Sequence, residues 1–101
     1  MRINRSAAAV LDIIETAEYI AQDNIEAAIR FVDAVDESLA LIAKSPDIGV
    51  VRKVGKVPEM RMWVVKGFPN SLLFYRATST EINVMRVIHS ARDFYRVFDN
   101  D

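Results

Sequence analysis

At 101 residues, 51% of them apolar and 27% charged, the chain can close one core but not two, so a single domain spanning residues 1–101 is expected. No apolar run approaches the roughly 20 residues of a membrane span, no apolar leader with a cleavage site is present, and there is no cysteine and a single imidazole, His89; together these predict a soluble, cytoplasmic protein with no metal and no cofactor. The net charge is −1, yet residues 1–50 hold four basic against nine acidic side chains and residues 51–101 nine basic against five acidic, which points either to an anionic partner for the second half or to pairing between the halves.

From Ser6 to Gln22, Val10, Ile13, Ile14, Ala17, Ile20 and Ala21 recur at the three- and four-residue spacing of a helix face. Asp23 and Asn24 interrupt the pattern, and Asp23 with Glu26 resembles a capping box that opens a second helix. Its stripe is Ile25, Ala28, Val32, Val35, Leu39 and Ile42, opposite Glu26, Arg30, Asp33, Glu37 and Lys44, and it should stop near Ser45 and Pro46. Two amphipathic helices so closely joined bury their stripes by folding back as an antiparallel hairpin.

All prolines and glycines lie between Pro46 and Pro69, as connecting loops and a hairpin turn require. Arg61–Lys66, Ser71–Ala77 and Glu81–His89 are rich in β-branched and aromatic residues and read as three antiparallel strands, turning at Gly67–Asn70 and Thr78–Thr80. Arg2–Asn4 adds a short edge strand. Ser90 with Asp93 marks another helix start, and Phe94, Val97 and Phe98 give that short C-terminal helix an apolar face. The expected fold is α+β: a helical hairpin packed on one face of a three- to four-stranded antiparallel sheet, whose other face or edge is left for a partner.

The sequence contains no Gly-rich phosphate loop, no Gly-x-Ser-x-Gly elbow, no His-Glu-x-x-His and no thiol nucleophile. His89 is the natural general base by pKa, although a lone His at a strand end more often holds a turn. Arg76 and Arg86 sit in otherwise apolar strands, so each must find a carboxylate or reach solvent. The bland outcome is pairing with Glu81 or helix acids. The sharper one is a basic surface of Arg61, Arg76, Arg86 and Arg92, with Tyr75, Tyr95 or Trp63 offering flat rings to a partner. Arg92 and Arg96, four apart, share one helix face. Trp63, Met60, Met62 and Met85 read as packing residues.

The order of elements and three segments resemble the ParE/RelE toxin superfamily. The segments are Ser45-Pro46-Asp47-Ile48-Gly49, Ser71-Leu72-Leu73-Phe74-Tyr75-Arg76, and Ile82 through Asp93, whose end is similar to the Arg-Val-Leu-His-Gly-x-Arg-Asp close of ParE-like plasmid-stabilisation toxins. The resemblance implies a toxin of a type II toxin-antitoxin system, hetero-oligomeric with a cognate antitoxin that wraps helices and sheet; because two amphipathic helices and a short sheet of this size leave apolar surface exposed, the antitoxin is expected along the groove between hairpin and sheet. The resemblance also implies one of two targets. ParE-like members act on DNA gyrase, a binding function for which Arg61, Tyr75, Arg76, Arg86, Arg92 and Arg96 are the target-contact or scaffold candidates. RelE-like members cut mRNA on the ribosome, and a nuclease here would use Arg61, His89, Arg92 and Tyr95. The Arg that RelE-like enzymes carry early in the middle strand is Leu72, and the late Tyr is Phe98, which has no hydroxyl; the resemblance therefore favours the gyrase-binding reading.

Overall fold

The computed structural model describes residues 1–53, 56, 58–89 and 97. Strand β1 (Arg2–Arg5) leads into helices α1 (Ala7–Ala21) and α2 (Ile25–Lys44), followed by strands β2 (Val50–Arg52), β3 (Met60–Val64), β4 (Ser71–Ala77) and β5 (Glu81–His89). Ser6 caps α1, its hydroxyl accepting the Ala9 N–H at 2.9 Å and donating to the Met85 carbonyl at 2.7 Å, so the helix start is tied to β5. At the head of α2 the cap is Asn24, not Asp23: its side chain accepts the Ala27 N–H at 3.0 Å. Glu26 in the first turn and Lys44 in the last both suit the helix dipole, and the helix ends at Ser45, ahead of Pro46.

The sheet has five strands in the order β1-β5-β4-β3-β2 and is mixed, which corrects the expected three- to four-stranded antiparallel sheet. Strands β2 to β5 run antiparallel to their neighbours, whereas β1 lies parallel to β5, pairing Arg2 with Glu81 through Arg5 with Val84. The parallel pairing follows from connectivity, because β1 is joined to the meander through two helices rather than a tight turn. Strand β2 escaped the sequence pattern because three residues in a loop-rich segment are too few to show alternation. Strand β3 runs over Met60–Val64 rather than Arg61–Lys66, since Val65 already belongs to the turn: its N–H bonds the Ser71 carbonyl at 3.0 Å and its carbonyl takes the Phe68 N–H at 2.9 Å. Gly67 provides the positive φ of 83° that this turn needs.

One core fills the space between hairpin and sheet. Phe31, Val35, Leu39 and Ile42 of α2 and Ala9 and Ile13 of α1 meet Leu73, Tyr75, Ile82, Val84 and Val87, and Phe31 stacks edge-on against Phe68 with centroids 5.2 Å apart. Ala28, Val35, Leu39 and Ile42 of the expected α2 stripe are buried, and the buried face extends to one side of it. Phe31, Ala34 and Ser38 are inside, while Ile25 (69% exposed) and Val32 (37%) look out. Phe31 carries the largest side chain of the helix and fills the core, so the weaker Ile25–Val32 stripe is turned outward. The other sheet face is not bare, because Met60, Phe74 and Ile88 are buried there with Met62, Leu72, Met85 and Val97 packed around them. The expected C-terminal helix, with Phe94 and Phe98, falls outside the described residues.

Candidate functional site

Tyr75 anchors the first of three polar nodes. Its cross-strand partner Arg61 shares its sheet face, and its ring is wholly buried. The Tyr75 hydroxyl accepts the Gly49 N–H at 2.9 Å and donates to the Pro46 carbonyl at 2.7 Å, clamping the loop between α2 and β2. Arg61 closes the clamp from outside, donating to the Asp47 carbonyl at 3.0 Å and the Gly49 carbonyl at 2.8 Å, with the Asp47 carboxylate 3.5 Å away. A Cβ on Gly49 would lie 2.6 Å from the Tyr75 hydroxyl and 2.9 Å from the Arg61 Cβ, so only glycine fits. Burial raises the pKa of the Tyr75 hydroxyl above its ordinary 10.0, against the opposing pull of the Gly49 N–H and the Arg61 charge.

The second node closes an exposed stretch of β5. Past Val84 that strand no longer has β1 beside it, and α1 runs along the gap. Asp12, on the first half of α1, accepts from Arg86 Nε at 2.7 Å and Nη2 at 2.9 Å and from the Val87 backbone N–H at 3.0 Å. A register shift at Phe74/Tyr75 marks a bulge where β5 bends to meet it. The Asp12 hydrogen bond raises the pKa of Arg86 despite partial burial. Of the outcomes open to Arg86, pairing with a helix acid is the one adopted.

Arg76 forms the third node, on the opposite sheet face from Tyr75. It donates to the Glu59 and Pro58 carbonyls, each at 3.1 Å, and touches the Met85 sulfur at 3.7 Å. Arg61 and Arg76 thus tie down two separate pieces of backbone while Arg86 is paired with a helix carboxylate, and the three do not share a partner. His89 is exposed at the end of β5, lining a small polar pocket of about 150 Å³ with Asp12, Glu15, Thr16 and Arg86. Its ring makes no hydrogen bond among the described residues. Trp63 packs at the margin of the main core. Arg92, Tyr95 and Arg96 lie outside the described residues.

The hairpin presents a further surface. Ala17 and Ala21 of α1 and Ile25, Ala28, Ile29 and Val32 of α2 line an apolar groove of about 390 Å³ along the outward seam of the two helices, bordered by the acids Glu18 and Asp33. Val10 and Ile14, 41% and 48% exposed, prolong the apolar stripe along α1. The concavity between α2 and the β3–β4 turn is different, being lined by Arg30, Asp33, Glu37 and Lys66 beside Phe68. The apolar groove is lined by the two helices alone. Sequence reasoning missed Asp12 and the seam; Val10, Ile14, Ala17 and Ala21, spaced four, three and four apart, were the signal that α1 carries a second stripe.

Two comparisons place this geometry. Among solved structures, one titled "Chromosomal ParDE TA system from P. aeruginosa" is similar with a TM-score of 0.70 over 89% of this chain and 96% of that one, at 18% identity, a likeness of fold. A search of curated proteins finds no significant match. The family profile of the ParE toxin of type II toxin-antitoxin systems, parDE, matches residues 3–94 and so takes in both helices and every strand from β2 to β5, and by that match the chain belongs to the ParE toxin family.

Proposed function

We propose that this ParE-family toxin works in the cytoplasm by binding, that its target is DNA gyrase, and that a cognate antitoxin neutralises it. The observation that carries the reading is the dispersal of Arg61, Arg76 and Arg86. Each is engaged with Asp47/Gly49, Pro58/Glu59 or Asp12, which suits a rigid docking scaffold better than a cluster gathered on one phosphate. Of the candidate target contacts, Arg61, Arg76 and Arg86 keep part of each side chain at the surface, Tyr75 acts from inside by fixing the loop, and Arg92 and Arg96 extend the set toward the C-terminus. Purified toxin should inhibit gyrase supercoiling and accumulate cleaved DNA. No effect at micromolar toxin, together with new in-frame mRNA 5′ ends after induction, would move the target to the ribosome.

The antitoxin reading rests on the hairpin seam. An apolar groove bordered by Glu18 and Asp33 and lined by no basic side chain fits an amphipathic helix with a narrow apolar stripe and Lys or Arg on its flanks. Replacing Ile29 with Glu should abolish capture by the antitoxin without unfolding the toxin. Unchanged affinity would place the antitoxin elsewhere.

A further inference from the structure

The two edges of the sheet are not alike. At the β1 edge, Asn4 is bonded to Glu81 and Asn83, and Arg5 to Asp36 of α2. At the β2 edge, Val50 and Val51 are 54% and 44% exposed and Arg52 is exposed as well. No hydrogen bond joins the outward backbone of β2 to another described residue. Successive residues of a strand point to opposite faces, so the two valines offer an incoming strand one apolar contact on each face. Val64, 43% exposed, extends the apolar surface on the side of Val50.

The charge at this edge selects the occupant. Arg52, Lys53 and Lys56 are exposed, and none has an ion-pair or hydrogen-bond partner among the described residues. A second copy paired edge to edge would bring these like charges together, which is how natural sheets discourage self-association. The same charges attract carboxylates.

We propose that β2 is a docking edge for an extended acidic segment of a partner protein, which joins the sheet as a further strand with its apolar residues against Val50 and Val51 and its carboxylates against Arg52, Lys53 and Lys56. This inference is independent of gyrase as target and of the hairpin seam. The mode is strand addition, in which backbone bonds supply affinity and side chains supply selectivity.

The test uses the whole toxin and a blocked synthetic peptide with a Thr-Val-Val-Thr core between pairs of glutamates, a counterpart with lysines in place of the glutamates, and a third with proline in the core. Backbone-amide NMR should show the acidic peptide shifting the amides of Val50, Val51 and Arg52 and protecting those that point away from β3, with the lysine and proline peptides inert. Affinity should fall about tenfold in Arg52→Glu and in Lys53→Glu and weaken as salt is raised. Both side chains are exposed, so an unchanged amide spectrum away from β2 verifies the fold of each variant. Equal binding by the lysine peptide, shifts confined to β1 or the hairpin, or no binding at millimolar peptide would overturn the proposal. So would concentration-dependent self-association through β2 in sedimentation, which would make the occupant a second copy.

Discussion

Tyr75 and Gly49 act as one unit. Gly49→Ala forces a Cβ into the tyrosine ring and should cost about 1–3 kcal/mol as an overpacked site. Tyr75→Phe leaves the Gly49 N–H and the Pro46 carbonyl without their partner, about 1–2 kcal/mol. The double variant should lose less than the sum, because the 2.6 Å approach to the hydroxyl disappears with it; urea titration of the four proteins measures the difference, and strict additivity would contradict the contact. The same hydroxyl sets an alkaline limit. Because its folded pKa is raised above 10.0, the unfolded chain gives up this proton first, so stability is intact below pH 10 and falls as pH rises above it. The drop in melting temperature above pH 10 should be smaller in Tyr75→Phe than in the parent protein. Asp12 matters for a different reason. Asp12→Ala strands a half-buried guanidinium and the Val87 N–H together, and the denaturation midpoint should report a loss of about 2–3 kcal/mol, with Asp12→Asn losing less.

At the scale of elements, α2 faces two ways. Phe31 is fully buried against Phe68, so Phe31→Ala should destabilise by about 3–5 kcal/mol. Ile29, 57% exposed, meets no core, and Ile29→Lys should change the stability of the free toxin by no more than about 0.5 kcal/mol. Thermal melts of the two variants separate the faces; similar losses would mean that the helix is rotated from the orientation described. The two-faced character explains why hydrophobic spacing located α2 to within a residue at each end and placed Ala28, Val35, Leu39 and Ile42 inside as they are found, but counted Ile25 and Val32 with them and left out Phe31, Ala34 and Ser38. Ile25, Ile29 and Val32 form an outward stripe, while Phe31, Ala34 and Ser38 lie with Val35 and Leu39 on the buried side, and both stripes are present in the sequence. Strands β4 and β5 are long, the first carrying Phe74 and Tyr75 and the second rich in Val and Ile, and were legible over their full spans, whereas β2 acquires its identity from pairing with β3.

For the molecule as a whole, the charge asymmetry between its halves is met in part by pairing between them. Arg61–Asp47 and Arg86–Asp12 join the halves, while Arg52, Lys53, Lys56 and Lys66 form no ion pair among the described residues. Exposed apolar surface on the hairpin makes the free toxin a protein with unspent burial, so antitoxin binding should raise its stability by mass action. At antitoxin one hundred times above Kd the gain is about 2.7 kcal/mol, roughly 10 °C in melting temperature for a chain of this length. Equal melting temperatures with and without saturating antitoxin would exclude docking on the folded toxin.

The sequence by itself determined the elements and their class: the helical hairpin, the three long strands, the turns, and the three segments that carry the family resemblance. These are matters of periodicity, capping and turn chemistry, which act over a few residues and are written locally. The partners were decided only in three dimensions. Nothing near Asp12 announces Arg86, seventy-four positions away, and nothing near Gly49 announces the Tyr75 hydroxyl, because each pairing arises where two separate elements are brought together by packing of the core. Which face of α2 is buried and which edge of the sheet stays open follow from the same cause, since both depend on how hairpin and sheet are stacked and not on either element alone.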